Sequence, residues 1–269
     1  MSYRVFSRDD GLHYEGEWNS NFQHSTQSDA MTGLGRGVFT DTSFYEGEWQ
    51  RGFPHGYGVF SAADGSKFAG EWREEQLHGL AVLTNRLKGR QYEGEYVNGK
   101  CDGYGVFAVS SGERYAGHWC RDSYDGLGRF YSRDGTSKEG VWKCDELVEI
   151  ADASDAVGRA ELAVKNAQKA AKIADEKSIE ALDAAEIARQ EQEAADAAEL
   201  SASILEGRAY RALYQYDARS EDEASVEEGD IIINAESVDD PLWFRGQVQR
   251  TGQMGLIPLE YVEQIVSEE

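Results

Sequence analysis

Histidine and cysteine most often carry acid–base, nucleophilic and metal chemistry, so their placement comes first. The 269-residue chain holds His13, His24, His55, His78 and His118, with Cys101, Cys120 and Cys144. No Cys/His spacing suits a zinc site, and three cysteines do not suggest a disulfide framework. No P-loop, nucleotide fingerprint, nucleophile elbow or kinase motif occurs. His55 and His78 recur in an "HG" dipeptide, which points to a turn rather than to proton transfer. No catalytic residue, metal or cofactor is therefore expected. The side chains left to do chemistry are 14 Tyr, 10 Phe and 6 Trp among 50 carboxylates. Rings supply apolar docking surfaces and carboxylates attract cations, so binding is the chemistry to look for.

The balance of 27 basic and 50 acidic side chains gives a net charge of −23. Such a chain repels nucleic acid and the anionic inner leaflet of a membrane. Residues 1–150 carry 16 basic and 23 acidic groups, 151–206 carry 6 and 13, and 207–269 carry 5 and 14. The N-terminus shows no signal-peptide pattern, and no run of about 18 apolar residues occurs. A soluble, non-secreted chain in a reducing cytosol is expected, with two or three structural units.

Those rings are positioned by a repeat. Tyr14-Glu-Gly-Glu-Trp18 recurs as Tyr45-Glu-Gly-Glu-Trp49, Phe68-Ala-Gly-Glu-Trp72, Tyr92-Glu-Gly-Glu-Tyr96, Tyr115-Ala-Gly-His-Trp119 and Lys138-Glu-Gly-Val-Trp142. From Tyr45 onward the steps are 23, 24, 23 and 23 residues. A constant period of this size marks a stacked array. The first step is 31 residues, lengthened by "NFQHSTQSDAMT", which predicts a longer polar loop. "SYRVF" fits as the closing strand of a half repeat before Tyr14. Within a repeat Tyr45, Gly47 and Trp49 alternate with Glu46 and Glu48, and Gly56-Tyr-Gly-Val-Phe60 alternates likewise, so each unit predicts a β-hairpin. The central glycines leave room for the rings and permit strong twist.

"YEGEWQRGFPHGYGVF" resembles the MORN family (membrane occupation and recognition nexus), whose pattern is YxGxWxxGxxHGxGxxxxxxG. The resemblance spans about residues 3–142. It departs at "FAGEWREEQLHGLAVL", where Leu80 and Ala81 replace a glycine pair, and at Lys138, where the last unit looks like a cap. The Tyr and Trp rings read first as the aromatic core of the stack; the functional alternative is that some of them line a concave face that grips a partner. Some MORN proteins engage membranes. The local basic run for such contact is Arg86, Lys88 and Arg90, at about 1 kcal/mol per basic group near an anionic surface.

Residues 151–206 lack proline, and Gly158 is their one glycine. Crowded with Ala, Glu, Lys and Gln, they predict one long helix. Ala153, Ala160, Ala167, Ala174, Ala181, Ala188, Ala195 and Ala202 recur every seven residues. Ala156, Ala163, Ala170, Ala184, Ala198 and Leu205 complete a stripe that Lys177 and Glu191 interrupt. Alanine favours close approach of another surface over a leucine zipper. The expectation is that this face packs on the glycine- and aromatic-rich sheet; a solvated spacer or a self-associating coil remains the alternative. Repeats followed by such a helix resemble the junctophilins, whose membrane-spanning tail has no counterpart in these residues.

From Arg208 the chain resembles a Src-homology-3 (SH3) domain, most of all those of the nebulin and LIM-and-SH3 group. Ala212-Leu-Tyr-Gln-Tyr216 stands for its ALYDY motif, Glu228-Gly-Asp230 for the diverging turn, Trp243 for its tryptophan, and Pro258 with Tyr261 for its Pro…Tyr pair. The resemblance implies a shelf of Tyr214, Tyr216, Trp243, Pro258 and Tyr261 for a polyproline II ligand. Beside it Glu221, Asp222 and Glu223 of the RT loop, extended by Asp239 and Asp240, are expected to select a basic residue flanking a PxxP core. Ala212, Leu213, Val226, Ile232, Gly246, Gly255 and Val262 read as barrel core or turns. Gln215 and Glu260 depart from the family's Asp and Asn, and a carboxylate at 260 cannot donate the usual hydrogen bond to a ligand carbonyl.

The expected architecture is multidomain and mainly β: an elongated antiparallel hairpin array over 1–148, a long helix over 149–206 and an SH3 barrel over 207–267. The expected function is a non-enzymatic cytosolic adaptor. Its SH3 domain takes proline-rich segments while array and helix hold a second protein, at the cytoskeleton or cell cortex. A junctophilin-type membrane tether is the alternative. Three prolines (Pro54, Pro241 and Pro258) exclude a PxxP ligand within these residues.

Overall fold

The structure is a computed structural model that describes residues 2–19, 30–205, 208–238, 240 and 242–265, without the side chains of 201, 202, 204 and 205. Most of the lengthened first loop, together with the side chains of Ala202 and Leu205, lies outside the described residues. Two compact units are present, Met1–Glu191 and Gln192–Glu269.

In the first unit the described residues form thirteen antiparallel strands paired in chain order, from β1 (Ser2–Ser7) to β13 (Glu146–Ile150). β1 pairs Phe6 with Tyr14, as expected of a half repeat. Each full hairpin carries a bulge at its central glycine, as between Gly47 and Trp49. At Gly47 φ is +153°, and a Cβ would lie 2.5 Å from Gly58 Cα. Only glycine fits that approach. The bulge leaves a strand N–H in need of an acceptor, and the repeat's second glutamate provides one. Glu17 accepts from Leu34 N at 2.7 Å, Glu48 from Tyr57 N at 2.6 Å, Glu71 from Leu80 N at 3.2 Å and Glu95 from Tyr104 N at 2.5 Å. These carboxylates are structural acceptors, not merely a solvated face.

The rings gather on one sheet face into a single cluster, with Tyr14, Tyr45, Tyr92 and Tyr115 almost fully buried. Four indole N–H groups reach a glycine carbonyl of the preceding repeat: Trp49 to Gly35, Trp72 to Gly58, Trp119 to Gly105 and Trp142 to Gly128, at 2.9–3.1 Å. Hairpin tips bond one repeat back as well, Glu75 N to Pro54 O, Gly99 N to Leu77 O and Asp122 N to Cys101 O. Neighbouring repeats are thus tied by indoles and tips, and the repeat with Tyr96 in place of tryptophan has the tip bond without an indole.

Helix α1 (Ser154–Leu205) packs on the sheet within this unit, but on the face opposite to the rings. The aromatic cluster contains no helix residue. The alanine face packs on the sheet, and it takes the face away from the rings because the rings of adjacent hairpins already cover one another. The helix meets the residue after each leading aromatic. Ala160 joins Val106 and Ala116, Ala174 joins Val59 and Ala69, Ser178 donates to Glu46 at 2.8 Å and Gln168 to Glu93 at 2.8 Å. Ala153, Ala160, Ala167, Ala174, Ala181 and Ala188 are at most 1% exposed, whereas Ala195 and Ala198 are exposed.

Seven helical residues rise about 10.5 Å, close to the ~9.6 Å spanned by the two strands of one repeat. Arg189 and Glu161, four heptads apart, accordingly meet Glu15 and Arg114, four repeats apart. The alanine ladder is the sheet's own repeat written in helical residues, not a coiled-coil seam.

The second unit is a five-stranded antiparallel sheet with the order β17 (Met254–Pro258), β16 (Trp243–Val248), β15 (Ile231–Ser237), β14 (Tyr210–Ala212) and β18 (Val262–Gln264). Its core joins Ala212, Tyr216, Val226, Ile232, Phe244, Val248, Ile257 and Val262. Leu213, expected inside, is 37% exposed, because only its backbone is used, to bond Tyr261 O. The last turns of α1 belong to this unit. Asn234, at φ +55°, donates its N–H to Ser203 Oγ at 3.0 Å and its Nδ2 to Glu199 at 2.7 Å.

Candidate peptide-binding site

Pairing of β16 with β17 sets Trp243 opposite Pro258, and the 3₁₀ turn Leu259–Tyr261 then brings Tyr261 back to Tyr216. Tyr216 lies 6.0 Å from Trp243 and 5.1 Å from Tyr261, both edge to face. Between them lies a pocket of about 160 Å³ lined by Tyr216, Arg219, Leu242, Trp243, Pro258, Glu260 and Tyr261. Its upright rings and proline form slots of the kind that suit the ridges of an extended chain.

Trp243 is aimed by the turn before it. Asp240 Oδ1 accepts from Leu242 N at 2.9 Å, and its carbonyl accepts from Trp243 N at 3.1 Å. Asp240 thus acts as a turn former beside the pocket; Asp239 lies outside the described residues. Glu223 is engaged as well. One of its oxygens accepts from Tyr216 Oη at 2.5 Å and from Arg219 N at 2.6 Å. These bonds hold the Glu223 carboxyl below its ordinary range. Burial, reinforced by the same carboxylate, pushes the Tyr216 phenol up to about 12. Glu221 and Asp222 are exposed and make no ion pair among the described residues. Tyr214 is 62% exposed and is not part of the pocket wall.

The structure therefore brings Tyr216, Trp243, Pro258 and Tyr261 together, with Glu223 behind Tyr216 and Asp240 under Trp243. Arg219 and Leu242 were missed as wall residues. Leu242 had a signal, an apolar side chain beside the motif tryptophan. Arg219 had none beyond its place in the acidic loop; it lies over the Tyr216 ring, 5.9 Å from its centroid.

The array has a hollow of its own on the aromatic side. It measures about 610 Å³ and is walled by Phe39, Pro54, Phe60, Phe68, Trp72 and Leu77, with Asp41 and Glu75 at its margin. Of the basic run, Lys88 is paired with Asp64 at 2.7 Å. Arg86 and Arg90 line a separate, more polar hollow. No helix among the described residues is long and apolar enough to cross a membrane.

Comparison with known proteins agrees with this division. The SH3 domain model matches residues 211–259, and the MORN repeat model matches 14–25, 45–67, 92–114 and 115–137. The unmatched repeat between them carries Phe68, Leu80 and Ala81. The C-terminal stretch is 51% identical over 59 residues to LIM and SH3 domain protein Lasp of Drosophila melanogaster. It is 50% identical over 56 residues to LIM zinc-binding domain-containing nebulette of Mus musculus, and 45% over 56 to myosin IC heavy chain of Dictyostelium discoideum. These matches cover 22%, 21% and 21% of this chain but 9%, 20% and 5% of the relatives. The chain spans at most a fifth of the length of these relatives.

Proposed function

From a chain that carries MORN repeats and a C-terminal SH3 domain, we propose a non-enzymatic adaptor that gathers two protein partners. The SH3 domain binds proline-rich segments between Tyr216, Trp243, Pro258 and Tyr261, with Tyr214 extending the shelf. Glu221, Asp222 and Glu223 favour ligands with a basic residue beside the PxxP core, and Asp240 adds to that field. The pocket enclosed by these rings carries the reading. Docking is inexpensive in entropy because a polyproline II ligand is already extended. The array offers its aromatic hollow to a second protein while α1 braces the opposite face.

The likeness of the SH3 domain to that of a myosin heavy chain supports a place in the cytoplasm at the cytoskeleton or cell cortex. A lipid role through Arg86, Lys88 and Arg90 is the weaker reading, since Lys88 is already paired with an acid and the surrounding surface is acidic. The test is binding of a proline-rich peptide library to the intact chain and to Trp243→Ala. Selective PxxP binding that the substitution abolishes supports the adaptor. Absence of binding by the folded wild-type chain moves the function onto the repeats.

A further inference from the structure

The pocket wall holds two charged side chains, Arg219 and Glu260, and neither makes an ion pair among the described residues. Glu223, the loop carboxylate bonded to Tyr216, is not in that wall. It is occupied in accepting from Tyr216 and Arg219 and so holds the loop in place. A ligand side chain that enters the pocket therefore meets Glu260, on the turn after Pro258.

The sign of the selection follows from what surrounds each charge. Arg219 is outnumbered in its own loop by Asp217, Glu221, Asp222 and Glu223. Its guanidinium is also turned over the Tyr216 ring. Glu260 has no cation among its sequence neighbours Leu259 and Tyr261–Glu263. Counting the loop with the wall, Asp217, Glu221, Asp222, Glu223 and Glu260 outnumber Arg219, and Glu260 is the carboxylate in the wall itself. A carboxylate accepts hydrogen bonds but cannot donate them, so it repels a ligand carbonyl and welcomes an ammonium or guanidinium.

We propose that Glu260 is a specificity-determining residue that selects a lysine or arginine inside the PxxP core, at the position seated between Trp243 and Tyr261. This rests on the SH3 groove being the peptide site. The loop acids set the long-range attraction to basic ligands, and Glu260 sets the position at which the charge must sit.

The experiment uses the full chain and three twelve-residue peptides with one PxxP core whose second interior position is Lys, Gln or Glu, with no other charge. Titration calorimetry is expected to rank them Lys, Gln, Glu, with roughly three- to fivefold between steps, the size of a partly exposed ion pair. Glu260→Gln should collapse that spread while still binding the Gln peptide. Glu236→Gln, an exposed acid outside the pocket wall, should preserve it. A spread that survives Glu260→Gln, or that vanishes equally in Glu236→Gln, overturns the assignment and leaves the groove intact. Failure of all three peptides to bind in a Trp243-dependent way overturns the peptide-binding reading itself.

Discussion

A single atom explains why one repeat departs from the others. A Cβ at Gly58 would overlap the Tyr45 hydroxyl, and Gly35, Gly105 and Gly128 stand in the same relation to Tyr14, Tyr92 and Tyr115. In the remaining repeat the leading ring is Phe68, which has no hydroxyl, and the facing position is Ala81, fully buried. The methyl takes the place that the oxygen vacates. Gly58→Ala is accordingly expected to cost about 1–3 kcal/mol through overpacking. Adding Tyr45→Phe should restore part of the loss, so a denaturant double-mutant cycle should give a favourable coupling; additive losses would refute the pairing. Both substitutions were visible in the sequence, but their link was not, because it depends on which ring lies over which glycine. Titration is also decided at this scale. The buried Asp230 carboxylate takes two bonds from Arg250, at 2.7 and 2.9 Å, which hold its carboxyl below its ordinary range. Its stabilising effect is full above the unfolded value of about 3.9 and is lost as pH falls through the lower folded value. Asp230→Asn should be about 1–3 kcal/mol less stable at neutral pH. Its acid melting curve should also be flatter below pH 4; an unchanged acid profile would count against the ion pair. Burial pushes the Cys101 thiol up to about 12, whereas Cys120 and Cys144 are exposed. A thiol reagent at pH 8 should label two cysteines in the native chain and the third only after unfolding.

At the scale of elements, the hairpins and the helix were legible because each rests on a local pattern: alternation for the strands, alanine at every seventh position for the helix. Which face of the sheet the helix takes was not legible. Both faces of an alternating strand offer small residues, and only the interleaving of rings from neighbouring hairpins shows that the aromatic side needs no cover. The groove was legible in its rings, since motif spacing fixes them, but not in Arg219 or in the engagement of Glu223, which depend on how the loop folds back. The ladder permits a direct contrast. Ala174→Leu, buried against Val59 and Ala69, should lower stability by about 1–3 kcal/mol. Ala195→Leu, on the same ladder but exposed, should stay within about 0.5 kcal/mol of wild type. Equal effects at the two positions in thermal melts would argue against the packing.

For the molecule as a whole, the charge of −23 governs encounter more than the fold. A basic-flanked proline peptide should lose association rate as salt rises from about 0.05 to about 0.5 M and the screening length shortens, with little change in dissociation rate. A salt effect confined to dissociation would place the charges in the contact and not in the approach. The match of one heptad to one repeat has a heritable consequence. Losing a repeat from the array alone would leave helical residues without sheet beneath them, and losing a heptad alone would slide every contact beyond it by one hairpin. Viable changes of length in this chain are therefore paired events at two separated places in the gene. Natural length variants should differ by whole repeats and whole heptads together.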